Sequence, residues 1–161
     1  MKRTIDHWTR DDEGDWVAAL SCLHSQHVRH RPPFRVAPWV ESAEGRSAHL
    51  GTDVNCPLCD RTELPQGLEV VRTTDTWDES SMPAGLRRHH RVAARRWARL
   101  HVSEGRLRFR AETDPAIDLV LSAGDAQAIP PEVDHHITPE DVVRFHLEFL
   151  GPVAADARQS G

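Results

Sequence analysis

Three cysteines and eleven histidines are the residues in this 161-residue chain best suited to chemistry. Cys56-Pro57-Leu58-Cys59 sets two sulfurs on one tight turn, the knuckle spacing by which thiolates grip a metal ion. Cys22 supplies a third sulfur, and His24 beside it can close a second knuckle, which makes a complete Cys3His set for tetrahedral zinc. His27 and His30 are the alternate fourth ligands. A closed shell of four protein ligands has no open position, so the expected zinc is structural rather than catalytic. A small module can draw much of its folding free energy from such an ion. The competing reading is a redox pair or plain thiols beside a solvated histidine run. A redox Cys-x-x-Cys normally opens a helix after a strand in a βαβ unit, and nothing of that kind flanks this one.

A second set of candidates lies in the back half. His89 and His90 precede Gly105, and His135 follows the turn at Pro130-Pro131. Near the end, Val143, Phe145, Leu147 and Phe149 alternate with Arg144, His146 and Glu148, so one face of a strand is apolar and the other polar. If the polar face lines an interior, His146 or Glu148 joins His90 and His135 as facial ligands with open positions, suited to iron, manganese, nickel or zinc. If it faces solvent, only the two histidines remain. Arg87, Arg88, Arg91, Arg95, Arg96 and Arg99 crowd around His89 and His90. Guanidinium forks pair with oxyanions, so this run can draw in a small anionic ligand; a charged face paired with carboxylates is the plainer account.

The elements that must carry these residues are mostly strands. Ile5–Arg10 and Trp16–Ser21 read as a hairpin around Asp11-Asp12-Glu13-Gly14. A polar, histidine-dense stretch from Cys22 to His30 ends at Pro32-Pro33. Trp39–Leu50 reads as a short helix interrupted at Gly45. After Leu64-Pro65-Gln66-Gly67 the rhythm becomes short strands between turns, as in an all-β sandwich or barrel. Strands are expected at Leu68–Thr73, Trp97–Val102, Leu107–Ala111, Ile117–Leu121, Ala126–Ile129 and Val142–Leu150, with His135 opening another. Three parts follow: a zinc-binding module over 1–63, a β-barrel over 64–151 and a flexible tail over 152–161.

Two resemblances sharpen this. Asp-Glu-Gly-Asp-Trp-Val at 12–17, Gln-His-Val-Arg-His-Arg-Pro-Pro-Phe at 26–34, Pro38-Trp39-Val40, Gly45-Arg46 and Cys-Pro-Leu-Cys-Asp at 56–60 resemble a small bacterial family of uncharacterised, zinc-ribbon-like proteins sometimes labelled pressure-regulated. Its members commonly read Cys-Gly-His where this chain has Cys22-Leu23-His24; the family offers no activity to carry over. The run from Gly124 through Pro130 to His135 resembles a cupin motif. Over 64–150, Leu64-Pro65, Thr73 to Trp77, Met82-Pro83-Ala84-Gly85-Leu86, His90, Trp97, Gly105, Ile129-Pro130-Pro131, His135 and Arg144-Phe145 with Glu148-Phe149 resemble the cupin-like domain at the start of some tellurite-resistance B proteins. That resemblance implies a jelly-roll barrel with His90 and His135 on the recurrent histidines of the site. The downstream methyltransferase of those proteins has no counterpart in these residues, so methyl transfer is not implied.

Composition sets the outer bounds. With 39% hydrophobic and 28% charged residues the chain has ordinary soluble character, and no apolar run approaches the roughly 20 residues of a membrane span. The segment Met1–Trp16 is charged throughout, so no secretory signal is expected and the protein reads as cytoplasmic, where an odd number of cysteines points to metal before disulfides. Net charge is −5, with eight basic and ten acidic residues up to Leu64 and twelve and fifteen after it, so nucleic acid is not an expected partner. The reading is a mainly β, metal-binding, cupin-type protein for a small ligand or an oxyanion response. It has structural zinc in front and room for a second divalent transition metal in the barrel. Pairing of barrels through a strand edge leaves a homodimer open. The alternative is a protein or nucleic-acid interaction module on a non-catalytic barrel, against which stands the acidic front module. Catalysis requires an open coordination position, and no residue here names itself as catalytic.

Overall fold

A computed structural model describes residues 1–152. The flexible tail expected from residue 152 lies, beyond Pro152, outside the described residues. Eleven strands dominate the described residues, and the chain divides after Leu58 into two compact units. Among the described residues no helix is long and apolar enough to cross a membrane.

In the first unit, β1 (Lys2–Arg10), β2 (Trp16–Leu20), β3 (Ser25–Val28) and β4 (Asp53–Asn55) form an antiparallel sheet in the order β3-β2-β1-β4. The expected hairpin is β1 and β2, closed by Asp11, whose Oδ1 accepts from the backbone N–H of Glu13 at 3.0 Å and of Asp15 at 2.8 Å. Strand β3 falls inside the polar stretch. It is an edge strand with Ser25 and His27 exposed, so pairing with β2, not apolar patterning, makes it a strand. The helix expected over Trp39–Leu50 breaks at Ser42, not at Gly45. A 3-10 turn, Pro38–Glu41, precedes α1 (Ala43–Ala48), and Ser42 Oγ caps α1 by accepting from the N–H of Gly45 at 3.0 Å. Gly45 sits inside α1 because a Cβ there would lie 2.1 Å from the carbonyl oxygen of Trp39. Ile5, Ala18, Leu20 and Val40 are buried beneath.

In the second unit, β5 (Leu68–Thr73), β6 (Trp97–Glu104), β7 (Arg106–Ala111), β8 (Ile117–Ser122), β9 (Ala126–Ile129), β10 (His135–Pro139) and β11 (Arg144–Pro152) make two antiparallel sheets, ordered β5-β11-β6-β9 and β10-β7-β8. Alternation is strict where it matters. On β7, Leu107, Phe109 and Ala111 are buried between Arg106, Arg108 and Arg110. On the other sheet Phe145 lies opposite Val102 and Leu147 opposite Leu100, all within the core. Burying each such side chain stabilises the unit by about 1.5–3 kcal/mol. Gly105 makes the β6–β7 turn at φ +69°, and a Cβ there would stand 1.8 Å from the carbonyl oxygen of Val142.

Candidate functional site

The first knuckle is built by the β2–β3 connection. Leu23 N–H donates to the carbonyl of Leu20 at 2.8 Å and Leu20 N–H to that of His24 at 2.9 Å, which folds Cys22 and His24 toward one point. Leu23 takes φ +72°, a left-handed conformation that costs a side-chain-bearing residue about 1–2 kcal/mol and that glycine adopts freely. Cys56 follows β4, and its N–H donates to the carbonyl of Met1 at 2.8 Å; Cys59 comes one turn later in α2 (Pro57–Asp60).

All four side chains are buried, and their ligand atoms lie within 4.8 Å of one another. Cys22 Sγ is 3.8 Å from Cys56 Sγ, far beyond the disulfide bond length of about 2.05 Å. His24 Nδ1 is 3.5 Å from Cys22 Sγ and 3.4 Å from Cys56 Sγ. A tetrahedral ion with metal–sulfur bonds of about 2.3 Å and metal–nitrogen bonds of about 2.0 Å has ligand edges of about 3.8 and 3.5 Å. The donor set fits a metal ion such as zinc. His27 and His30 do not belong to it: His27 Nε2 is 2.8 Å from Asp11 Oδ2, and His30 Nδ1 accepts from the N–H of Ala37 at 3.1 Å.

Burial opposes protonation of His24, but hydrogen bonds and charge from Cys22 and Cys56 outweigh it and lift its pKa to about 9. In the metal-free protein at neutral pH this imidazole therefore holds a proton that an incoming ion must displace. Apparent metal affinity is expected to rise with pH up to about 9. Below that value His24 alone contributes about tenfold per pH unit. Competition with a chelator between pH 6 and 8 measures the slope, and His24→Ala should flatten it by one proton.

The second unit brings His90 and His135 together. Their backbones form an isolated antiparallel bridge, each N–H donating to the other's carbonyl at 3.0 Å, and their ring centroids are 5.3 Å apart at 88°. His135 is 1% exposed. Its Nδ1–H donates to the carbonyl of Val133 at 3.0 Å, which leaves Nε2 with the lone pair, buried and without a hydrogen-bond partner among the described residues. Burial pushes its pKa below the ordinary histidine range. A fixed Nδ1–H and a free Nε2 is the form in which histidine binds metals. His90, half-buried, lines a pocket of about 290 Å³ with Arg72, Trp77, Leu86, Leu147 and Phe149.

His146 and Glu148 are not in that group. Leu147 and Phe149 line the pocket, so the residues alternating with them turn to the opposite face of the sheet. There they meet His101 on β6, which stands directly opposite His146 in the register. Sequence reasoning did not single out His101. Its alternation with Leu100 and Val102 marks its face, but only the β6–β11 pairing shows its neighbours. The arginine run is largely engaged: Arg91 pairs with Asp134, Arg99 with Glu148, and Arg87 donates to the carbonyl of Glu79. Arg87, Arg88, His89 and His136 line an open surface hollow.

Two family models match separate stretches of the chain. Residues 7–63 match the model of a family of proteins of unknown function, DUF3565, and residues 72–147 match the TehB-like domain. Among solved structures the chain is similar to a protein from E. coli (strain K12) at 23% identity and TM-score 0.51, covering 56% of this chain and 97% of that one. It is also similar to TehB from Haemophilus influenzae at 16% identity and TM-score 0.50, covering 54% of this chain but only 32% of TehB. At these identities the likeness is one of fold. No curated protein matches the chain.

Proposed function

We propose that a module like the DUF3565 family, carrying structural zinc, precedes a cupin-type jelly roll that binds a small ligand through a histidine-held divalent metal. The setting is an oxyanion response of the tellurite-resistance kind in the cytoplasm. Strand order supports the jelly roll. Counting the His90 bridge as a residual strand, the back unit's strands run first, eighth, third, sixth in one sheet and second, seventh, fourth, fifth in the other, the order of two Greek keys rolled together. The observation that carries the ligand site is His135 Nε2, a buried lone pair with no partner among the described residues, beside His90 at the pocket wall. Zinc in the cysteine centre would be held by Cys22, His24, Cys56 and Cys59, with no open position. A metal on His90 and His135 would retain open positions, and as a Lewis acid it would bind an anionic oxygen. Arg72 at the same wall adds a fixed positive charge.

Elemental analysis of the purified full chain tests this. Wild type should carry zinc together with a second metal, and His90→Ala with His135→Ala should lose the second and keep the zinc. A zinc content equal in both proteins, with no other metal in either, would remove the barrel site.

A further inference from the structure

The outer face of the β5-β11-β6-β9 sheet holds a separate cluster of metal-ligating side chains. His101 and His146 are directly opposed on neighbouring antiparallel strands, and their rings stack with centroids 4.9 Å apart at 13°. Glu148 lies two residues along β11 on the same face, so the three project side by side, and one ligand atom from each falls within 4.8 Å of the others. All three are half-buried, accessible to an ion yet partly shielded from water.

How each group is engaged indicates what it can still bind. Glu148 Oε2 accepts from Arg99 Nε at 2.9 Å, from Arg99 Nη2 at 2.7 Å and from His101 Nε2 at 2.9 Å. Its other oxygen, Oε1, and both ring nitrogens of His146 have no hydrogen-bond partner among the described residues. Arg99 thus fixes the carboxylate by one oxygen and leaves the second presented, as outer-shell partners do for metal-bound carboxylates. A purely structural ion pair between Arg99 and Glu148 needs neither imidazole.

We propose that His101, His146 and Glu148 form a binding site for a divalent transition ion of the nickel, copper and zinc class, distinct from the cysteine centre and from the His90–His135 pair. Two imidazoles and one carboxylate favour these ions over magnesium or calcium, whose preferred ligands are oxygens. Where the ion takes His101 Nε2, the single ring proton now shared with Glu148 transfers through solvent to Nδ1, so the imidazole stays neutral and Nε2 offers its lone pair. The adjacent Arg99 cation repels the ion, so the site binds less tightly than a four-ligand cysteine centre and exchanges its metal.

The test is calorimetric titration of Ni²⁺ into the full chain with zinc already in the cysteine centre. The expected result is a saturable event in wild type that weakens at least tenfold in His146→Ala and in His101→Ala and persists in His135→Ala. As half-buried surface residues, His101 and His146 should tolerate alanine, and unchanged circular dichroism verifies it. As a second readout, Ni²⁺ should broaden the ring resonances of His101 and His146 before those of His90. Binding unchanged in both outer-face variants, or lost in His135→Ala instead, would overturn the assignment.

Discussion

Replacement of Cys59 by Ser should remove one zinc per chain and unfold residues 1–58 while leaving β6–β11 protected. The reasoning is energetic. A unit of this length buries only about 60% of the surface its unfolded chain exposes, which leaves it marginal without a staple. Structural zinc in small modules contributes an apparent 10–16 kcal/mol or so, comparable with or larger than the whole stability of an ordinary domain. Cys59 is 0% exposed, so a serine hydroxyl there is a poor ligand in a place that water cannot repair. Elemental analysis, with amide hydrogen exchange resolved by strand, separates the outcomes. Full zinc content and unchanged protection of β1, β2 and β4 would show that the cluster is not what holds the front unit together.

Phe145→Ala should cost the second unit about 3–5 kcal/mol, the usual loss for a fully buried phenylalanine. Phe145 is 0% exposed and stands edge-on to Trp77, with ring centroids 6.0 Å apart. Such aromatic pairs add about 0.5–1.5 kcal/mol beyond burial. Trp77 forms part of the pocket wall, so the same change loosens that wall. For a unit of about a hundred residues the loss lowers the thermal midpoint by roughly 12 °C or more. Glu148→Ala, three positions along β11 on the outer face, is the control: a partly exposed ion pair is worth about 1 kcal/mol or less. Urea unfolding of both variants measures the contrast, and equal costs would contradict the assignment of faces.

How far these sites were legible depended on how local their causes are. The cysteine–histidine cluster was legible at short range, because two candidate ligands on one tight turn form a local pattern, and Cys56 and Cys59 need only that turn to bring their sulfurs near one point. The faces of β7 and β11 were equally legible, since alternation with period two is a property of the single strand. The break at Ser42 was not, because it depends on a capping hydroxyl and on the close approach of Gly45 to Trp39. Strand β3 was missed for a related reason: its residues are polar, and its hydrogen bonds come from β2.

What the amino-acid order determined by itself, then, is which residues share a turn or a strand face: Cys22 with His24, Cys56 with Cys59, and His146 with Glu148 against Phe145 with Leu147. Which strands lie side by side, and which face turns inward, was left to the tertiary structure. Pairing of β6 with β11 brought His101 to His146, and the bridge to β10 brought His90 to His135 across forty-odd residues of chain. The physical reason is that side-chain direction follows from local backbone geometry, whereas partnership between strands is decided by the closure of the whole core. A sequence therefore names candidate ligands one knuckle or one strand at a time, and only the closed sheets show which of them meet.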